Sequence, residues 1–185
     1  MVDAFGDEAQ RRKLLPKLTA METIASYCLT EPGSGSDAAA LRTTARPDGN
    51  AHYIMNGSKA FISGGGFSDL YVVMCRTGEE GPRGVSTLLV ESSAKGLSFG
   101  KAEDKMGWRA QPTAIVNFEN CRVPAENRVG PEGDGFKYAM KGLDGGRLNI
   151  AACALGGAQD AFDRALSYVK ERKQFGKRIA DFQNT

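Results

Sequence analysis

The residues richest in chemical possibility form one run, Tyr27-Cys28-Leu29-Thr30-Glu31-Pro32-Gly33-Ser34-Gly35-Ser36-Asp37. Its small residues let backbone amides approach an anionic or flat polar ligand, and Thr30, Ser34 and Ser36 add hydroxyls. Gly33 and Gly35 are not part of a GxGxxG string and no strand–turn–helix unit surrounds them, so a Rossmann reading fails. As composition alone, the run is explained equally well by a plain Pro-Gly turn. Nucleophilic catalysis is poorly supplied, because the only histidine, His52, sits in a strand-like stretch beside Tyr53 and Ile54. The cysteines Cys28, Cys75, Cys121 and Cys153 form no CxxC pair, so a structural zinc lacks ligands. Each lies in an apolar stretch, and buried reduced thiols are expected.

The elements that must hold this run are short and β-branched. Residues 41–46 read as a strand ending at the turn Pro47-Asp48-Gly49-Asn50. Residues 52–55 and 58–63 read as two strands joined by Asn56-Gly57, a two-residue hairpin signal. Further strands are expected over 70–76, 85–91, 97–99 and 113–118. Strands at this spacing argue for a closed or doubly layered antiparallel β domain. Before them, residues 7–17 look like the tail of a helix broken by Pro16. From Gly135, the positions Phe136, Met140, Leu143, Ile150, Leu155, Phe162, Leu166 and Val169 recur at helical spacing. Gly142, Gly145, Gly146, Gly156 and Gly157 each cost such a helix about 1 kcal/mol, which implies a close neighbour on its backbone.

Composition narrows the class. Lys plus Arg less Asp plus Glu is 24 − 22 = +2, too balanced for nucleic-acid binding by bulk charge. The longest apolar runs, 70–75 and 150–155, fall far short of the roughly 20 residues of a membrane helix. Met1 is followed by Asp3, Asp7, Glu8, Arg11 and Arg12 rather than by a targeting segment. A soluble intracellular protein is expected.

Read as ordered strings, five segments resemble the acyl-CoA dehydrogenase family. The first is Tyr27 to Asp37, close to aromatic-x-Leu/Val-Thr-Glu-Pro-Gly-x-Gly-Ser-Asp. The second, Asn56-Gly57-Ser58-Lys59-Ala60-Phe61-Ile62-Ser63, resembles the family's flavin-contacting strand. Lys105-Met106-Gly107-Trp108 with Phe118-Glu119-Asn120-Cys121-Arg122-Val123-Pro124 is the third. Gly133-Asp134-Gly135-Phe136 leading to Asp144-Gly145-Gly146-Arg147 is the fourth, and Glu171-Arg172-Lys173-Gln174-Phe175-Gly176 the fifth.

The resemblance implies β plus α: an antiparallel β-barrel or sandwich middle domain over 21–132, followed over 133–185 by the first long helix of an α-helical bundle domain. Residues 1–20 would be a remnant of an N-terminal helical domain, and the chain a fragment. It implies FAD, with the loop containing Tyr27, Leu29, Thr30, Gly35 and Ser36 lying against it and Thr30 contacting the isoalloxazine ring. Phe61, Ile62 and Ser63 would pack along the ring, with Phe61 where the family more often has tryptophan. Ser36, Asp144 and Arg147 would meet the acyl-CoA substrate. Arg172, Lys173, Gln174, Phe182 and Gln183 would reach the FAD of a neighbouring subunit in a dimer of dimers.

The implied reaction converts an acyl-CoA thioester to trans-2-enoyl-CoA and passes electrons to an electron-transfer flavoprotein. A glutamate takes the α proton. No such base stands in either family position within this chain, one of which is Gly146, so the chain alone should not turn over. The wording of the motifs is closest to short branched-chain members. An acyl-CoA oxidase and a non-catalytic ligand- or partner-binding β module are the alternatives. Glu31 reads as a structural carboxylate holding the loop through backbone hydrogen bonds, Lys59 and Asp37 as hairpin and turn residues, and Trp108 as packing between sheets.

Overall fold

A computed structural model describes residues 1–183. The chain divides into two compact units, Met1–Lys141 and Gly142–Thr185. The first opens with helices α1 (Val2–Phe5) and α2 (Glu8–Thr19), and eight strands follow: β1 (Ala25–Cys28), β2 (Thr44–Asp48), β3 (His52–Ser63), β4 (Leu70–Arg76), β5 (Val85–Glu91), β6 (Leu97–Phe99), β7 (Thr113–Pro124) and β8 (Arg128–Val129). Helix α3 spans Gly135–Glu171.

Helix α2 is not broken by Pro16, which lies inside it. The helix starts at a capping box, in which the Asp7 side chain accepts from the Gln10 amide and Gln10 returns a bond to the Asp7 amide.

The strands run in the order β6-β7-β3-β2-β4-β5-β8, with β1 added alongside β4. β2 and β4 meet at a single residue pair, Thr44 with Arg76. That seam folds the sheet into two layers. One core lies between them, built from Tyr53, Met55, Ile62, Val116 and Phe118 of one layer and Cys28, Tyr71, Val73, Leu88 and Val90 of the other. The edge strands β6 and β8 do not pair with each other, so this is a sandwich with open edges rather than a closed barrel. Two pairings depart from the antiparallel expectation, since β1 and β2 each run parallel to β4. A parallel neighbour requires a crossover connection rather than a tight turn, and no local signal marks which strand a crossover will reach.

β4 reads as an unbroken apolar run because both of its faces are covered. Tyr71 and Val73 face the sandwich interior, whereas Leu70 and Val72 join Leu89, Val129 and Val2 in a second cluster beneath α1 and α2.

The Asn56-Gly57 hairpin does not form. β3 is one strand from His52 to Ser63, antiparallel to β7 along its length. The turn lies instead between β2 and β3, where Gly49 has φ +63. Gly57 serves a different need: at φ +141, a Cβ there would stand 2.6 Å from Thr43 Oγ1 and 2.7 Å from Thr43 Cα.

In the second unit α3 continues to Glu171 and is followed by the small hairpin β9 (Lys173–Gln174) and β10 (Lys177–Arg178). Its loop residues Phe175 and Gly176 both have positive φ, as the primed turns of two-residue hairpins require. Along α3 a Cβ at Gly145, Gly146, Gly156 or Gly157 would meet nothing within 4 Å. The close neighbour expected from those glycines is therefore not found among the described residues. Cys153 is exposed on this helix, against the expectation of a buried thiol, whereas Cys28, Cys75 and Cys121 are buried. Among the described residues no helix is long and apolar enough to cross a membrane.

Candidate functional site

β3 carries two irregularities opposite β7. Between Met55 and Gly57 the extra residue is on β7, and between Lys59 and Ile62 it is on β3. The second is a β-bulge, and a bulge re-aims side chains. Up to Lys59 the odd-numbered residues Tyr53, Met55 and Lys59 are buried, while beyond the bulge Ala60 and Ile62 turn inward. Phe61 is thereby turned out, 68% exposed and held at φ +56. A bulky residue in this left-handed region is uncommon and carries strain, a feature that collects at ligand-binding positions.

The loop after β1 is attached at this bulge. Ala60 donates its amide to the Thr30 carbonyl at 2.8 Å. Lys59 Nζ donates to the Leu29 carbonyl at 2.9 Å and to Glu31 Oε1 at 2.7 Å. At the far end of the strand Ser26 Oγ donates to the Ser63 carbonyl at 2.5 Å. Two segments separated by about thirty residues of chain are thus fixed side by side. Thr30 is bonded at the centre of the join to Ala60, the residue before Phe61.

Glu31 closes the base of the loop. Its Oε2 accepts the Arg42 amide at 2.6 Å and its Oε1 the Thr43 amide at 2.9 Å. Within the loop, Glu31 and Ser34 exchange backbone bonds, and Ser34 Oγ donates to the Asp37 carbonyl at 2.6 Å. The Arg76 guanidinium holds the exit, donating to the carbonyls of Ala39 and Leu41. Burial opposes ionisation of Glu31. The Lys59 charge and the bonds from Lys59, Thr43 and Arg42 outweigh it and hold the carboxyl below its ordinary value. Burial also draws Lys59 below the ordinary amine range, and Glu31 pulls the other way.

The structural reading of Glu31 is correct, whereas Asp37 is not in a turn but stands at the N-terminal end of a 3-10 helix over Ala38–Ala40. Lys59 is not a hairpin residue: it is fully buried and completes the ion pair. Trp108 is not packed between sheets but lies on an exposed loop at φ +55, beyond the strands that could cover it.

Of the residues predicted for the site, Gly35, Ser36, Phe61 and Ser63 are exposed and Thr30 is half-buried. A Cβ at Gly33 or Gly35 would meet nothing within 4 Å, so the chain's own packing does not require glycine there. The open side is available to a ligand. Leu29 and Ile62 are buried in the first unit. The Tyr27 hydroxyl donates to the Ala139 carbonyl at 3.1 Å, and burial raises its pKa. Asp144, Arg147, Arg172, Lys173, Gln174, Phe182 and Gln183 belong to the second unit. There Arg147 and Asp144 form an exposed ion pair at 3.3 Å.

A β-sandwich whose Thr-Glu-Pro-Gly loop is latched to a bulged strand, followed in the chain by a long helix, is an acyl-CoA dehydrogenase type of scaffold. Residues 26–121 match the acyl-CoA dehydrogenase middle domain and 133–185 the C-terminal domain, and the chain belongs to the acyl-CoA dehydrogenase family. It is 60% identical over 183 residues to the mitochondrial isobutyryl-CoA dehydrogenase of Bos taurus, covering 99% of this chain and 44% of that protein. Butyryl-CoA dehydrogenase from Megasphaera elsdenii superposes with a TM-score of 0.93 at 43% identity, over 98% of this chain and 48% of that one. An acyl-CoA dehydrogenase from Bacillus anthracis, solved in complex with FAD, superposes with a TM-score of 0.90 at 37% identity, over 98% of this chain and 31% of that one. The chain spans less than half the length of each.

Proposed function

We propose that this chain forms the flavin-facing part of an FAD-dependent acyl-CoA dehydrogenase that oxidises a short branched acyl-CoA to the trans-2-enoyl-CoA. The observation that carries this reading is the join of Thr30 to the Phe61 bulge, with open space over Gly33 and Gly35. These residues fit a flat, anionic cofactor: an aromatic side chain turned outward, a half-buried hydroxyl beside it, and glycines free of internal packing. FAD, when bound, supplies the two-electron acceptor for the dehydrogenation.

Thr30 orients the ring through its hydroxyl and backbone, and Phe61 and Ser63 line one face, with Ile62 contributing its backbone. Tyr27 and Leu29 act from beneath, one by its bond to Ala139 and the other by packing. Gly35 and Ser36 approach phosphate, and Ser36 also meets the substrate. Asp144 and Arg147 line the acyl-CoA channel. Arg172, Lys173, Gln174, Phe182 and Gln183 serve the FAD of a second subunit, which makes the working form a homo-oligomer, a dimer of dimers. The α proton is taken by a glutamate outside these residues, because Gly146 has no side chain. Electrons leave to an electron-transfer flavoprotein, in the mitochondrial matrix of a eukaryote or the bacterial cytoplasm.

Titration of the purified chain with FAD, followed by flavin fluorescence, tests the cofactor reading. Saturable binding weakened about 3- to 10-fold by Thr30→Ala, the worth of one hydrogen bond, is expected. A folded chain that binds no FAD would overturn it. Turnover of isobutyryl-CoA by the isolated chain would overturn the assignment of the base elsewhere.

A further inference from the structure

Three consecutive residues of the loop are gripped from two consecutive residues of β3. Lys59 Nζ takes the Leu29 carbonyl and the Glu31 carboxylate, on either side of Thr30, and Ala60 takes the carbonyl of Thr30 itself. The grip is made inside the protein, with the Lys59 side chain 0% and the Glu31 side chain 7% exposed. The carboxylate then reaches on to the amides of Arg42 and Thr43, eleven and twelve residues away, so one side chain closes the whole excursion. Isolated charges this deep are costly, and buried pairs of this kind are best attested where they fix a register.

We infer that Lys59 and Glu31 are positioning residues for the cofactor loop: their buried pair sets the orientation in which Thr30 is presented beside Phe61. This rests on the flavin reading above for its functional consequence, though not for the geometry. Both side chains are withdrawn from solvent and bonded on either side of Thr30, so both act through Thr30. A pair that only stabilised the fold would alter FAD affinity without altering what the Thr30 hydroxyl contributes to it.

The test is a double-mutant cycle with an exchange measurement on the same proteins. In Glu31→Gln/Lys59→Met the charges are removed together, leaving no lone buried ion and one carbonyl acceptor at position 31. Hydrogen exchange at the Arg42, Thr43 and Ala60 amides should quicken about 10-fold while β4 and β5 amides stay within about 2-fold. Thr30→Val should raise the FAD Kd about 5-fold in the parent chain but less than about 2-fold in the latch-free background. Unchanged exchange at those three amides in a folded variant overturns the proposal, as does an equal Thr30→Val effect in both backgrounds. If the double variant does not fold, Glu31→Gln alone carries both readouts under the same criteria. A parent chain that binds no FAD sinks the flavin reading, and the exchange measurement then decides the latch by itself.

Discussion

Lys59 Nζ lies 2.7 Å from Glu31 Oε1 across the boundary between a strand and the loop laid against it, with both side chains withdrawn from water. Each depends on the other. Among the described residues Lys59 has only the Leu29 carbonyl as a further partner, whereas Glu31 retains two backbone amides.

Breaking this pair from one side is therefore costly. Lys59→Met leaves a buried carboxylate without its counter-ion and should lower unfolding stability by about 3–5 kcal/mol. Arg12→Ala, which removes an exposed partner from Glu8 on α2, should change it by less than about 0.5 kcal/mol. Urea unfolding of the two variants beside the parent chain measures the contrast.

Acid sensitivity follows from the same carboxylate. The folded-state value of Glu31 is depressed below its ordinary 4.5, so its contribution is complete above that value and is lost as pH falls through the folded one. Urea midpoints should be flat on this account from pH 7 to about pH 5 and fall below about pH 4.5. In Glu31→Gln that part of the acid slope should disappear, although the variant is less stable at neutral pH.

Glycines on the two sides of the site should respond in opposite ways. Gly57→Ala forces a Cβ against the Thr43 backbone at a positive φ and should destabilise by at least about 2 kcal/mol. Gly35→Ala meets nothing in the chain and should leave stability within about 0.5 kcal/mol while weakening FAD binding. Thermal melts and FAD titrations of the same two proteins separate the effects.

The thiols should divide by depth. Burial pushes Cys28 and Cys75 up to about 12 and Cys121 up to about 11, which leaves almost no thiolate at neutral pH. Of the four, Cys153 alone is exposed. A disulfide reagent at pH 7.5 should modify Cys153 quickly in the native chain and all four cysteines only after denaturation.

Much of the scaffold was legible in the residues. The strands over 70–76, 85–91 and 97–99 and the start of the long helix at Gly135 follow from local apolar patterning and turn chemistry, and they stand where expected. The loop and its Glu31 were visible as an ordered string. Asn56-Gly57 misled because a hairpin signal is local, whereas pairing with β7 holds β3 straight through it. Lys59 misled for a related reason. A lysine in a strand reads as a surface residue, and only the partner brought from Glu31 makes its burial tolerable.

The sequence by itself determined the family, the strand and helix content and the segments that carry the chemistry, because these depend on residue order and near-neighbour patterning. Tertiary structure decided the parallel placement of β1 and β2 against β4, the bulge that turns Phe61 outward, and the buried pair that holds Thr30 beside it. Each rests on contacts between segments far apart in the chain. Their energies depend on burial and register, which no local window of sequence contains.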